Sequence, residues 1–103
     1  MLKKPEERVS QALAAISQSQ LGMTMGVKLA AKNPEFHQEI GSAISQFLRG
    51  KWGNICQEDE LQNDYALLNE QRIVAVYSTS QGDIWIINES DRSLTTILFP
   101  SEY

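Results

Sequence analysis

Few side chains in this chain are suited to chemistry. Cys56 and His37 are its single thiol and single imidazole, so a nucleophile with a base would have to be this pair. Cys56 sits just before a predicted helix start, where the helix dipole favours thiolate. The bland alternative is a half-buried thiol and an exposed imidazole, since His37 adjoins Phe36 and points partly away from the apolar stripe. Glu58, Asp59, Glu60 and Asp64 form an acidic cluster in which Glu60 and Asp64, four apart, share a helix face. A cation site, a patch for a protein partner and simple dipole compensation all fit it, although the spacing matches no calcium loop. Glu89-Ser90-Asp91-Arg92-Ser93 places polar side chains between two apolar strands. It reads either as an Asp turn closed on its own backbone, with Arg92 paired to Glu89 or Glu102, or as a contact surface anchored by Arg92. Trp52, beside Gly53, reads as a core plug or a ligand contact. Trp85 alternates with Ile84 and Ile86, so it faces away from them. Both faces of that strand are apolar, and periodicity leaves open which one is buried.

These residues must be held by local elements. Residues 5–17 read as a helix: Pro5 suits the first turn, Glu6 and Glu7 meet the dipole, and Val9, Ala12, Leu13 and Ile16 form one stripe. Gly22 reads as the turn that follows. Thr24 is placed to cap a short helical piece over 25–31. Asn33-Pro34-Glu35 is a stronger start signal, for a helix over about 34–49 with Phe36, Ile40, Ala43, Ile44, Phe47 and Leu48 on one face. Gly50 can stop it in a left-handed conformation. A third main helix over about 57–69 opens on acids and carries Leu61, Tyr65 and Leu68 on one side.

After Asn69 the apolar period changes from 3.6 to 2. Arg72–Thr79, Asp83–Asn88 and Leu94–Phe99 read as strands joined by Ser80-Gln81-Gly82 and by Glu89–Ser93. Short loops make neighbours antiparallel, which predicts a three-stranded meander covered by the helices before it. The expected class is therefore α+β: about three N-terminal helices on a three-stranded antiparallel C-terminal sheet, as one domain over residues 1–103. Residues 1–4 and 101–103 are expected to fray.

Composition narrows the function classes. No apolar run approaches the ~20 residues of a membrane helix. The N-terminus is charged with no apolar segment behind it, so no signal peptide is expected and the expected location is cytoplasmic. One cysteine and one histidine argue against an internal disulfide and a zinc site. There is no phosphate-binding loop, nucleophile elbow or dinucleotide fingerprint. Residues 1–53 carry seven basic against four acidic side chains, a net of +3; residues 54–103 carry two against nine, a net of −7, which together make the chain's −4. Two solvated faces that attract each other explain this asymmetry, and so does an acidic surface that steers toward a basic partner. A pI near 4.9 argues against direct binding to nucleic acid.

Gly50–Glu60, G-K-W-G-N-I-C-Q-E-D-E, and the closing run from Trp85 to Tyr103 together resemble a family of small bacterial proteins of plasmids, integrative elements and prophages. Some of its members are labelled type I restriction endonuclease subunit M, a role their size argues against. The family pattern is similar to W-G-D-L-C-E-E-D followed by W-I-I-T-E-A-D-R-S-x-T-T-I-L-F-P-E-E-Y. Gly26-Val27, Asn33–Phe36, Trp52-Gly53, Cys56, Glu58-Asp59, Asn63, Arg72, Tyr77, Trp85 and the run from Glu89 to Tyr103 match it. Lys51, Asn54, Gln57 and Asn88 depart from it, mostly by losing or reversing acids. Residues 1–23 are the less family-like part.

The resemblance implies a mobile-element setting rather than an activity. It points to a non-enzymatic protein-binding module, with an anti-CRISPR or anti-restriction inhibitor as the first reading. Such an inhibitor would occupy a basic groove on a CRISPR or restriction component through the acidic half. The alternatives are a self-associating regulatory or toxin–antitoxin-type partner, a homodimer through its sheet, and a structural accessory protein of a plasmid or phage. An enzyme would need catalytic groups that one His and one Cys do not assemble, so no catalytic residue, cofactor or metal is expected. The candidate partner-binding residues are Trp52, Glu58, Asp59, Asp64, Trp85, Glu89, Asp91, Arg92, Ser93 and Glu102.

Overall fold

The computed structural model describes residues 5–103; the expectation for residues 1–4 lies outside them. The element order is α1 (Pro5–Ser17), β1 (Gln20–Met23), α2 (Met25–Ala30), α3 (Pro34–Leu48), α4 (Gln57–Leu68), β2 (Ile73–Thr79), β3 (Gly82–Asn88), β4 (Leu94–Leu98) and a 3-10 turn over Pro100–Glu102. The class is α+β, with helices and one four-stranded mixed sheet.

The meander β2-β3-β4 is antiparallel as expected, but a fourth strand joins it. The strand order is β1-β4-β3-β2, with β1 parallel to β4. Gly22 is therefore not a turn residue: it lies inside β1, opposite Thr96. Nothing local announces a strand in Gln20–Met23, and its pairing comes from β4, some seventy residues later. The hairpin loop is Ser80-Gln81, and Gly82 already belongs to β3 with a φ of 97°.

The α3 start follows the sequence signal. The Asn33 side chain accepts from the Phe36 N–H at 3.1 Å, and Pro34 sits in the first turn. Gly50, with φ 74°, ends the run. Phe36, Ile40, Ala43 and Phe47 of α3 meet Ile73, Ala75, Tyr77, Ile84, Ile86 and Ile97 of the sheet, with Val27 and Ile16 at the flanks. Phe36 stacks on Phe99 at 5.7 Å, and Phe47 meets Trp52 edge-on at 5.3 Å. Burying each of these aromatics contributes about 2–3 kcal/mol.

In α4 Leu61 and Tyr65 share a side, as the spacing predicts, and it is the outer one, with Leu68 partly covered. The inner side carries Asn63, Ala66 and Leu67. Asn63 earns its buried place by donating to the Val74 carbonyl at 2.9 Å, which satisfies an outward acceptor on the β2 edge. The middle of that edge is covered by the 52–54 loop: Asn54 N–H donates to Val76 O, and Val76 N–H to Trp52 O.

The two sheet faces differ. Ile84 and Ile86 face the helices, so Trp85 lies on the opposite face with Val74, Val76, Ile87 and Leu98. The C-terminal turn, not a helix layer, crosses that face: Tyr103 meets Trp85 edge-on at 5.3 Å. Residues 101–103 are thus anchored, against the expectation that they fray.

Candidate functional site

Seven of the ten candidate partner-binding residues are engaged in hydrogen bonds or an ion pair within the fold. Trp52 is 2% exposed, and its Nε1–H donates to Asp64 Oδ1 at 2.9 Å. This makes Trp52 a core plug and removes Asp64 from the free acids of the cluster.

Arg92 is a helix cap rather than a surface anchor. Its guanidinium donates to Ala66 O at 2.8 Å and Leu67 O at 3.3 Å, at the C-terminal end of α4. It also donates to Gln71 O at 2.7 Å and to Asn88 Oδ1 at 3.0 Å. A cation on the orphan carbonyls of a helix end is favourable for both hydrogen bonding and the dipole. Burial lowers its pKa and the nearby Glu70 raises it. The backbone of Arg92 is left-handed, with φ 62°, which aims the side chain back under α4. Asp91 accepts from Ser93 N–H at 3.0 Å and Ser93 Oγ at 2.6 Å. That is the Asp turn foreseen for this loop, and the Ser93 hydrogen bonds hold the Asp91 carboxyl below its ordinary value. Arg92 reaches the Glu89 backbone carbonyl, at 3.5 Å, rather than the Glu89 or Glu102 carboxylate; the Glu89 carboxylate instead meets Arg72 at 3.3 Å.

Glu102 is a latch. Its carboxylate accepts from Thr24 Oγ1 at 2.6 Å, Gly26 N–H at 3.0 Å and Phe99 N–H at 3.0 Å. Thr24 does not cap α2 through its side chain; Glu102 takes the Gly26 amide in its place. The Thr24 hydroxyl, followed by the backbone amides, depresses the Glu102 pKa. A Cβ at Gly26 would lie 2.6 Å from Glu102 Oε2, so any larger residue there displaces this carboxylate.

The candidate residues that stay open lie on two surfaces. The outer side of α4 carries Leu61 and Tyr65, 61% and 58% exposed, one helical turn apart. Glu58 heads the same side at helical spacing, and Asp59 is exposed beside it in the first turn. The second surface is the sheet face around half-buried Trp85, rimmed by the Arg72–Glu89 pair. Arg72 donates to the Tyr103 hydroxyl at 2.7 Å and lies 5.4 Å from its ring centre; the Tyr103 hydrogen bond raises the Arg72 pKa.

A polar cleft of about 650 Å³ lies between α3, the 50–54 loop and the start of α4. Its charged walls are Glu39, Lys51 and Glu60. Glu39 is engaged by the β2–β3 hairpin, accepting from Ser80 N–H at 2.9 Å and Ser80 Oγ at 2.5 Å. The Tyr77 phenol in the wall donates to Lys51 O at 2.6 Å, and burial pushes its pKa up. Cys56 is the residue before α4, whereas His37 borders a separate groove beside β1. The two lie on separate elements, Cys56 just before α4 and His37 within α3. Among the described residues, no group of three or more His, Cys, Asp or Glu could hold a metal ion, and no helix is long and apolar enough to cross a membrane.

Sequence reasoning missed Asn63, Asn88 and Glu39. Asn88 is fully buried and donates to Thr95 Oγ1 at 3.0 Å and Ser19 Oγ at 3.1 Å. A polar residue ending an apolar strand is the available signal, but its partners come from β4 and the turn between α1 and β1. Compared with models of protein families, with curated proteins and with solved structures, the chain matches none.

Proposed function

We propose that the chain is a non-enzymatic protein-binding module that docks a basic partner through the outer side of α4. The single observation that carries this is the exposure of Leu61 and Tyr65 on a helix that opens with Glu58, Asp59 and Glu60. Large apolar side chains flanked by one sign of charge suit a contact in which the acids steer the encounter and the apolar pair supplies the buried centre. The resemblance to mobile-element proteins suggests the partner: the basic, nucleic-acid-binding groove of a CRISPR or restriction component.

The test is capture of such a component from the native host by tagged protein, released with a salt step. Two variants separate the contributions, Glu58→Lys with Asp59→Lys, and Leu61→Ser with Tyr65→Ser. Both are expected to weaken capture strongly; the second leaves the thermal melt unchanged, and the first lowers it only slightly through the helix dipole and leaves the residual capture insensitive to salt. Capture that survives both sets overturns the reading. Self-association through the face around Trp85 is the second reading. It is favoured by Val74, Val76 and Trp85 being only half-buried on a face closed by Tyr103. It predicts a concentration-dependent dimer that Val76→Lys abolishes.

A further inference from the structure

The open edge of the sheet is β1. In its parallel pairing with β4, Gln20 N–H donates to Ser93 O and Thr24 N–H to Ile97 O. The even-numbered residues therefore face β4, and Leu21 and Met23 turn their N–H and C=O groups outward. No strand pairs with this edge among the described residues. An uncovered edge presents donors and acceptors at strand spacing.

An apolar groove runs between this edge and α3. Leu21, Ile44 and Leu48 border an apolar cavity of about 110 Å³. Met23, Ile40, Gly41 and Ile44 border a second, of about 330 Å³. Ile44 is shared, so the two cavities adjoin. Leu21 and Met23 are two residues apart, and each faces one cavity. Two residues span roughly 6.6 Å along a strand, which is the spacing of the side chains that border the two cavities. Gly41 borders the second cavity, and a Cβ there would meet nothing within 4 Å, so the position has room for a larger side chain. The Met23 end is bordered by Lys28 and His37, and neither cavity is lined by a carboxylate.

We propose that this groove binds an extended peptide that adds to β1 as a fifth strand. Alternate apolar side chains of the peptide fill the two cavities, and an acidic side chain at one end meets Lys28. The outward backbone groups of Leu21 and Met23 supply the hydrogen bonds, the cavities select apolar residues two apart, and Lys28 sets which end carries the acid. This surface is separate from the outer side of α4, and its test is independent of the function proposed above.

The probe is a short acetylated and amidated peptide alternating Val and Thr and ending in two aspartates, titrated into the full chain and followed by amide NMR. Expected are shifts at Leu21, Met23, Gly41 and Ile44, with slower exchange of the Leu21 and Met23 amides. Gly41→Leu fills the groove from a helix position that gains propensity. Leu21→Pro removes an outward donor and leaves the β4 ladder intact. Each should weaken binding by about tenfold or more. Lys28→Glu should weaken the aspartate peptide but not one ending in two lysines. Absence of binding at millimolar peptide, shifts on another surface, or full affinity in Gly41→Leu overturns the proposal. So do β1-edge shifts that grow with protein concentration alone, which would make a second copy the occupant.

Discussion

Replacing Arg92 by Met keeps the aliphatic stem and removes the guanidinium. Three short hydrogen bonds are lost, to Ala66 O at 2.8 Å, Gln71 O at 2.7 Å and Asn88 Oδ1 at 3.0 Å. The carbonyls at the end of α4 are near enough to solvent to recover water, so each bond counts at its net value of about 1 kcal/mol. Asn88 is 0% exposed, and leaving its oxygen unpaired adds about 1 kcal/mol more. The expected loss is therefore about 3–4 kcal/mol, which for a domain of this size lowers Tm by about 15–20 °C. The left-handed backbone provides an internal check. With φ at 62°, Arg92→Gly should be more stable than Arg92→Ala by about 1 kcal/mol, because both lack the guanidinium and only Gly is unstrained there. Thermal and urea melts followed by circular dichroism measure all three variants. A fall of under ~5 °C for Arg92→Met refutes the cap. If that stable variant also fails to capture a partner, Arg92 is a surface anchor after all.

Two further outcomes follow from close contacts. Gly53→Ala places a Cβ 1.9 Å from Val76 O and 2.8 Å from the Tyr77 ring, at a φ of 83°. The 52–54 loop must leave the β2 edge, at a cost of more than about 3 kcal/mol, read as a lower urea midpoint and faster amide exchange at Asn54 and Val76. The Glu102 latch makes stability acid-sensitive. Its pKa is lowered on folding, so its contribution is complete above the ordinary carboxylate range and disappears as pH falls through the depressed value. Asp91, lowered by Ser93, acts in the same direction. Melts of Glu102→Gln across acidic pH should show a flatter profile than the parent, and Gly26→Ala should return the Glu102 carboxyl toward an ordinary titration in NMR. An unchanged acid limb in Glu102→Gln would exclude the latch.

Of the candidate site, the sequence pattern conveyed residue type but not employment. Arg92 and Asp91 stood out as polar groups between apolar strands. The carbonyls that Arg92 caps lie about 25 residues away in the chain, at the end of α4, and no spacing rule connects them. Trp52 and Asp64 are twelve apart, across a loop and a helix start, so their hydrogen bond was equally hidden. Leu61 and Tyr65 were legible as one helix side. Which side met the core was not, because α4 is weakly amphipathic and Asn63 takes an inner position by hydrogen bonding to Val74.

The sequence by itself determined the elements whose signals are local. The Asn33-Pro34 start of α3, the stop at Gly50, the acidic opening of α4 and the three C-terminal strands all follow from capping, dipole and period, which act within a few residues. Tertiary structure alone decided the rest. β1 exists because β4 offers a free edge to an otherwise ambiguous segment. The burial of Ile84 and Ile86, and with it the outward aspect of Trp85, was set by which face the helices reached. Glu102 became a latch because the chain end returns to α2. In each case the deciding contact joins residues far apart in the chain, and local propensity carries no information about such partners.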